Sequence, residues 1–248
     1  MDSEALKTPK TPRFSLVIPF YNEEANVDPL IDELLEVLPR LGAYEVLAID
    51  DGSSDRTMHR LEARRQDMPE LRVLSLRENR GQSTAVCAGI DHATSPLILM
   101  LDGDRQNDPH DLPRLLDELG RVDGVSGIRE SRQDSLVRRL SSRVANQIRD
   151  WISGDRVKDS ASGIKGFRAG VLRRIPRFNG MHRFMPTLAR MAGAKVVEIP
   201  VNHRCRVAGR AKYGVGNRML RAFVDLLAVR WMRKRQIRYE LRDPEARR

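Results

Sequence analysis

The sequence predicts an α/β fold with a doubly wound, mostly parallel sheet, followed by a C-terminal amphipathic helix. Three observations predict it. Apolar runs of strand length alternate with helix-patterned segments through the first half of the chain, the mark of parallel strands joined by right-handed crossovers. No repeat, low-complexity tract or linker interrupts the pattern. The chain has 248 residues, 40% of them hydrophobic, which is enough to bury one large core.

Each element follows from its own pattern. FSLVIP (14–19) reads as a buried strand. NVDPLIDELLEVL (26–38) reads as a helix, with Val27, Leu30, Ile31, Leu34 and Leu38 at helical spacing and Asp28-Pro29 as cap and first-turn proline. YEVLAID (44–50) is the second strand, and SSDRTMHRLEARRQ (53–66) a helix entered through a Ser/Asp cap. LRVLSL (71–76) is the third strand, followed by a helix around 82–93. PLILML (96–101) is the fourth, followed by the helix HDLPRLLDELG, and VDGVSGIR (122–129) is the fifth. Beyond residue 130 a helix is expected over 135–153, a turn over 159–168 and a helix over 180–192. AKVVEIPV (194–201) reads as an edge strand carrying Pro200, and one long helix is expected over 217–238. The expected division is a disordered leader (1–12), one domain (13–213) and a basic helix and tail (214–248).

Composition narrows the function. The formal net charge is +10, with acidic residues concentrated in the first half and arginines after residue 129. That asymmetry points to an anionic partner: nucleic acid, a phosphorylated substrate or lipid headgroups. Only 5% of residues are aromatic, which gives stacking-based nucleic-acid recognition little support. No run reaches the roughly 18 apolar residues of a membrane span, and MDSEALKTPKTPR lacks the apolar segment of a signal peptide. Cys87 and Cys205 are expected to be free thiols of a cytoplasmic protein.

Ligands of doubly wound sheets bind beyond the carboxyl ends of the strands. Asp50 and Asp51 follow the second strand, and Asp102 and Asp104 follow the fourth, so both acidic groups should face one crevice. Asp102 and Asp104 are one residue apart and repel each other unless a cation arrives; two carboxylates with substrate phosphates suit Mg²⁺ or Mn²⁺. A calcium loop does not fit, because its glycine and glutamate positions hold Asn107 and Pro113. Asp50 and Asp51 can accept hydrogen bonds from a ribose or base edge, while Asp55 caps the next helix. An aspartyl-nucleophile phosphatase would need a paired aspartate motif after the first strand, where this chain has PFYNEE.

PFYNEEANV, DDGSSDRT, NRGQSTAVCAGI and LDGDRQNDP stand in order and together resemble the family 2 inverting glycosyltransferases, which have the Rossmann-like GT-A fold. The branch they are most similar to is that of the polyprenyl-phosphate hexose synthases, such as dolichol-phosphate mannosyltransferase, over about residues 13–233. The resemblance implies a metal-dependent inverting transferase that moves a hexose from GDP-mannose or a UDP-sugar to dolichyl or undecaprenyl phosphate. It implies that Pro19, Tyr21, Glu23 and Gln82 line the nucleotide pocket, that Asp50 and Asp51 lie near base and ribose, and that Asp102, Asp104 and Gln106 hold the metal and sugar diphosphate. Arg129 and one of Arg138 and Arg139 are its candidates for the acceptor phosphate. DSASGIKGFR resembles the branch's D-x-x-S-G-x-R segment, placing Asp159, Ser162 and Gly163 near the sugar, with Asp159 a candidate base. Ile-Lys-Gly stands before Phe167-Arg168, so the match for the basic position is open. In HRCRVAGRAKYG, Arg206 and Lys212 fit a loop closing over the diphosphate, and Ala211 replaces the expected serine. His182 and His203 are expected to be structural or to touch phosphate.

A monoester phosphate has a second pKa near about 6, so such an acceptor needs arginines more than it needs a base. Leu220, Phe223, Val224, Leu227 and Trp231 share one face of the last helix, with Arg218, Arg221, Arg230, Arg233, Lys234, Arg235 and Arg238 around it. That pattern suits an anionic membrane surface, or a helix packed on the domain with a solvated basic side. The expected location is the cytoplasmic face of the membrane, as a peripheral protein, with a separate membrane protein as a further partner. The alternatives are a soluble family 2 transferase with a sugar or phosphorylated small-molecule acceptor, and a basic nucleic-acid-binding module.

Overall fold

The computed structural model describes residues 11–129, 159, 162–205 and 215–237, with side chains from 223 onward in the last stretch. The expected helix at 135–153, and Arg138, Arg139, Arg206, Ala211 and Lys212, lie outside the described residues.

The strands are β1 (Phe14–Phe20), β2 (Tyr44–Asp50), β3 (Leu71–Ser75), β4 (Leu97–Leu101), β5 (Gly124–Arg129), β6 (Ile164–Arg168) and β7 (Val196–Val201). The helices are α1 (Glu24–Val37), α2 (Thr57–Arg64), α3 (Gln82–His92), α4 (Leu112–Leu119), α5 (Ala169–Leu172), α6 (Met185–Met191) and α7 (Val215–Arg235). The strands form one sheet in the order β3-β2-β1-β4-β6-β5-β7. All pairs are parallel except those of β6, which runs antiparallel to β4 and β5.

Successive side chains of a strand point to opposite faces, and the core divides accordingly. Leu16 and Ile18 of β1, Val46 and Ala48 of β2, and Leu99 and Leu101 of β4 pack with α1, α2 and α4. Val17, Leu47 and Ile49, and Ile98 and Met100, face the other way and pack with α3, α5, α6 and α7. Both faces are covered, which is why these strands read as unbroken apolar runs. Chain order reverses direction where β4 joins β1 on the side away from β2. The crevice beyond the carboxyl ends of β1 and β4 is therefore the topological switch point, the usual ligand site of such sheets.

Two expectations are corrected. The segment 159–168 is not only a turn: Ile164–Arg168 is an internal strand with Ile164 and Phe167 fully buried. The helix expected over 26–38, with Asp28-Pro29 as cap and first-turn proline, starts at Glu24, and Pro29 lies inside it. Its first amides are held from outside: Thr57 Oγ1 accepts from Glu23 N at 2.8 Å and Asp55 Oδ2 from Glu24 N at 3.3 Å. Asp28 caps nothing and pairs with Arg60. Asp55 also accepts from Thr57 N at 2.9 Å, opening α2 as expected.

Candidate active site

The loops after β1 and β2 are laced together. Ser53 Oγ accepts from Asn22 N at 2.9 Å, and Asn22 Oδ1 accepts from Ser54 N at 2.8 Å. Glu23 is buried and accepts from Asn26 Nδ2 at 2.6 Å. Pro19 and Tyr21 are half-buried at the same edge. Asp50, buried, accepts from Ser75 Oγ at 3.0 Å and Ser53 N at 3.2 Å. Asp51, also buried, accepts from Asn79 Nδ2, Arg80 N and Gly81 N at 2.9, 2.8 and 2.9 Å. Both oxygens of Asp51 thus hold the loop that enters α3.

That loop delivers Gln82, whose Nε2 donates to Asp102 Oδ1 at 2.7 Å. Asp102 N donates to Gly163 O at 3.1 Å. A Cβ on Gly163 would stand 2.1 Å from Asp102 Oδ2, so the carboxylate fits only against bare backbone. Burial, and then the neighbouring Asp104 carboxylate, push Asp102 up to about 7. A carboxyl held protonated by burial and a neighbouring carboxylate is one whose ionised form a cation would stabilise. Asp102 and Asp104 with the amide oxygen of Gln106 are hard donors suited to Mg²⁺ or Mn²⁺. Among the described residues no group of three His, Cys, Asp or Glu side chains converges on one point; phosphate oxygens and water would complete the shell.

The loop carrying these residues is braced from behind. Arg105, between Asp104 and Gln106, has φ +59°. Its guanidinium meets Glu33 Oε1 of α1 at 2.6 Å, while Arg204 binds Glu33 Oε2 at 2.6 Å and Asp108 Oδ1 at 2.8 Å. Arg204 N also donates to Gln106 O at 2.8 Å, and Asn107 bridges to His203.

Positive charge stands opposite. Arg129 binds Asp159 through Nε and NH2 at 2.7 and 2.9 Å, so Asp159, the candidate base, is an ion-pair partner with its carboxylate engaged. Lys165, on β6, is buried and donates to His182 O at 2.9 Å. Burial lowers it to about 8, against the pull of Asp102 and Asp159. Of the two basic residues on β6, Lys165 faces Asp102, whereas Arg168, at the other end, donates to Leu119 O at 3.2 Å. Lys165 is also the seventh residue counted from Asp159, the place that D-x-x-S-G-x-R gives to its arginine. Ser162 is fully buried beneath this group. Ser83 and His182, neither expected to act together, are 2.7 Å apart (Oγ to Nδ1).

The sequence model of the family described as Glycosyl transferase family 2 matches residues 15–176, which takes in β1 to β6 and every residue just placed around Asp102 up to Lys165. The chain belongs to glycosyl transferase family 2. Among curated members it is 37% identical over 226 residues to the dodecaprenyl-phosphate galacturonate synthase of Rhizobium johnstonii, covering 87% of this chain and 65% of that protein. It is 36% identical over 211 residues to the undecaprenyl-phosphate 4-deoxy-4-formamido-L-arabinose transferase of Edwardsiella ictaluri, covering 83% and 65%. The family 2 chain thus spans about two thirds of the length of these relatives. Among solved structures it resembles a mannosyltransferase from Pyrobaculum calidifontis in complex with GDP-Man and Mn²⁺ (TM-score 0.64, 20% identity, 94% of this chain and 67% of that one). It also resembles the glucosyl-3-phosphoglycerate synthase of Mycobacterium tuberculosis with Mn²⁺, UDP and phosphoglyceric acid (TM-score 0.67, 19% identity, 92% and 80%). The fold is the GT-A arrangement that the motifs imply.

Proposed function

We propose that the protein moves a hexose from a nucleotide sugar, GDP-mannose or a UDP-sugar, to a polyprenyl phosphate, with inversion at the anomeric carbon. The observation that carries this reading is the Asp102–Asp104 pair at the switch point, faced by Lys165 and Arg129. An acceptor phosphate oxygen attacks the anomeric carbon from the face opposite the diphosphate, and the bond from that carbon to the diphosphate breaks. Negative charge grows on the leaving diphosphate and needs fixed positive charge; removing one well-placed donor from such a site typically costs about 2.7–4 kcal/mol. A divalent ion held by Asp102, Asp104 and Gln106 would supply part of it, and Lys165 the rest on the protein side. Arg129, oriented by Asp159, receives the acceptor phosphate, which is nucleophilic without a base because its second pKa is about 6. In this reading Asp159 acts through Arg129. Pro19, Tyr21, Glu23 and Asp50 line the nucleotide pocket. Arg139, Arg206 and Lys212 are further phosphate contacts in the same proposal.

Both curated relatives carry a polyprenyl phosphate in their names, which supports the lipid acceptor. No helix among the described residues is long and apolar enough to cross a membrane. We place residues 13–213 as the transferase domain, at the cytoplasmic face of the membrane, with α7 and the tail against the lipid surface or a membrane protein. The test is a donor screen: protein, Mg²⁺ or Mn²⁺ and labelled GDP- and UDP-sugars, with undecaprenyl phosphate or 3-phosphoglycerate as acceptor. Label entering organic solvent is the expected result. Transfer to the soluble acceptor alone, or to neither by folded protein, overturns the proposal.

A further inference from the structure

One turn, residues 178–184, touches both α7 and the acidic edge of the sheet. On the α7 side Asp225 lies against Gly180 and faces Arg183, NH1 to Oδ2 at 3.8 Å. Gly180 has φ +101°, and a Cβ there would stand 2.4 Å from Asp225 Oδ2, so the approach of the helix requires glycine twice over. On the site side Gly180 N donates to the buried Ser83 Oγ at 2.9 Å. Ser83 Oγ also shares a hydrogen bond with His182 Nδ1, 2.7 Å away, so one hydroxyl ties the backbone of Gly180 to the His182 ring. The carbonyl of His182 receives Lys165 Nζ at 2.9 Å, and Gln82, beside Ser83, donates to Asp102. Lys165 and Gln82 reach Asp102 from different elements, yet both are referenced to the same turn.

We infer that Ser83, Gly180, His182 and Asp225 form a positioning bracket, through which the seating of α7 sets Lys165 and Gln82 against Asp102. The bracket rests on the transfer reading above for its consequence, since Lys165 opposes the charge of the leaving diphosphate. A buried ammonium ion must be aimed as well as present: a misplacement of about 1 Å can cost on the order of 10²-fold in rate. None of the four residues touches the reacting atoms in this scheme; each acts through Lys165 or Gln82.

The full chain carrying Ser83→Ala, His182→Leu or His182→Asn, and Asp225→Asn tests it. Ser83→Ala and His182→Leu should lower kcat about tenfold or more, with donor KM within a few-fold and the melting temperature little changed. His182→Asn, whose amide can take the place of Nδ1, should recover part of the loss. Asp225→Asn should act in the same direction while leaving vesicle binding unchanged. Wild-type kcat in both Ser83→Ala and Asp225→Asn, or a loss that follows melting temperature, overturns the bracket. Amide exchange reads it without turnover: Asp225→Asn should loosen residues 82–84 and 180–184 and leave β1 to β3 protected. Unchanged exchange overturns the bracket even if transfer is observed. Changed exchange in a protein that transfers to no acceptor overturns the transfer reading and leaves the bracket standing.

Discussion

Burial and the Asp104 carboxylate raise Asp102 to about 7, above its ordinary value of 3.8, and this has a consequence for stability. A group whose folded pKa is raised adds stability that is complete below the unfolded pKa and is lost as pH climbs through the folded one. The metal-free protein should therefore lose stability between about pH 4 and 7 through this residue. Lys165, lowered to about 8, acts between that value and 10.5 and stays out of the window. Thermal melts from pH 5 to 8 should show a shallower fall in Asp102→Asn than in the wild type, and Mn²⁺ should restore wild-type stability at pH 8. Equal slopes with and without the substitution would count against a strained carboxylate pair. At this scale the acidic residues were legible because they follow apolar runs directly in sequence. The Ser83–His182 contact was not, because it joins positions 99 apart. Lys165 was half-legible: its spacing from Asp159 was visible, but its direction depends on which face of β6 it occupies.

Elements behaved in the same way. The parallel strands and their helices were legible because each is long, apolar and bounded by turn residues. β6 was not, since DSASG reads as a turn and the strand after it is short, with Gly166 at its centre; its partners on either side create it. The start of α1 was misplaced because Thr57 and Asp55, from another loop, cap its first amides. Close packing of α3 on β1 gives a test. A Cβ on Gly89 would stand 2.2 Å from Cγ1 of the buried Val17. Overpacking of this kind costs about 1–3 kcal/mol, more than the roughly 0.8–1 kcal/mol that alanine gains over glycine in a helix. Gly89→Ala should therefore lower stability in chemical denaturation; a neutral or stabilising result would mean that α3 can move off the sheet.

On the scale of the molecule, α7 turns out to have two apolar sides. Leu226 and Val229 are buried in the core beside α6, with Met232 packed against them. The face read as apolar from the sequence is the other one: Phe223, Val224, Leu227 and Trp231 remain 45–62% exposed. Arg230, Arg233, Lys234 and Arg235 lie on the same turns, and Arg235 sits 5.9 Å over the Trp231 ring. The helix is thus seated on the domain by one side while the apolar side read from the sequence stays exposed. Phe223→Ser with Trp231→Ser should weaken binding to anionic vesicles by about tenfold or more, since both side chains would otherwise bury apolar area in the headgroup boundary. The melting temperature should barely move. Vesicle cosedimentation at low and high salt measures both parts of the attraction, and undiminished binding would exclude this face as the contact.

The amino-acid sequence by itself determined the parallel core, the order of the motifs and the acidic edge, because apolar period and strand-end residues are local patterns. The tertiary structure decided which charges meet. Asp51 turns to hold a loop, Asp159 pairs with Arg129, and Lys165 reaches Asp102. Those outcomes depend on a strand inserted antiparallel between β4 and β5 and on a turn pinned between α3 and α7. Contacts over such separations are set by packing and burial, which no short stretch of sequence contains.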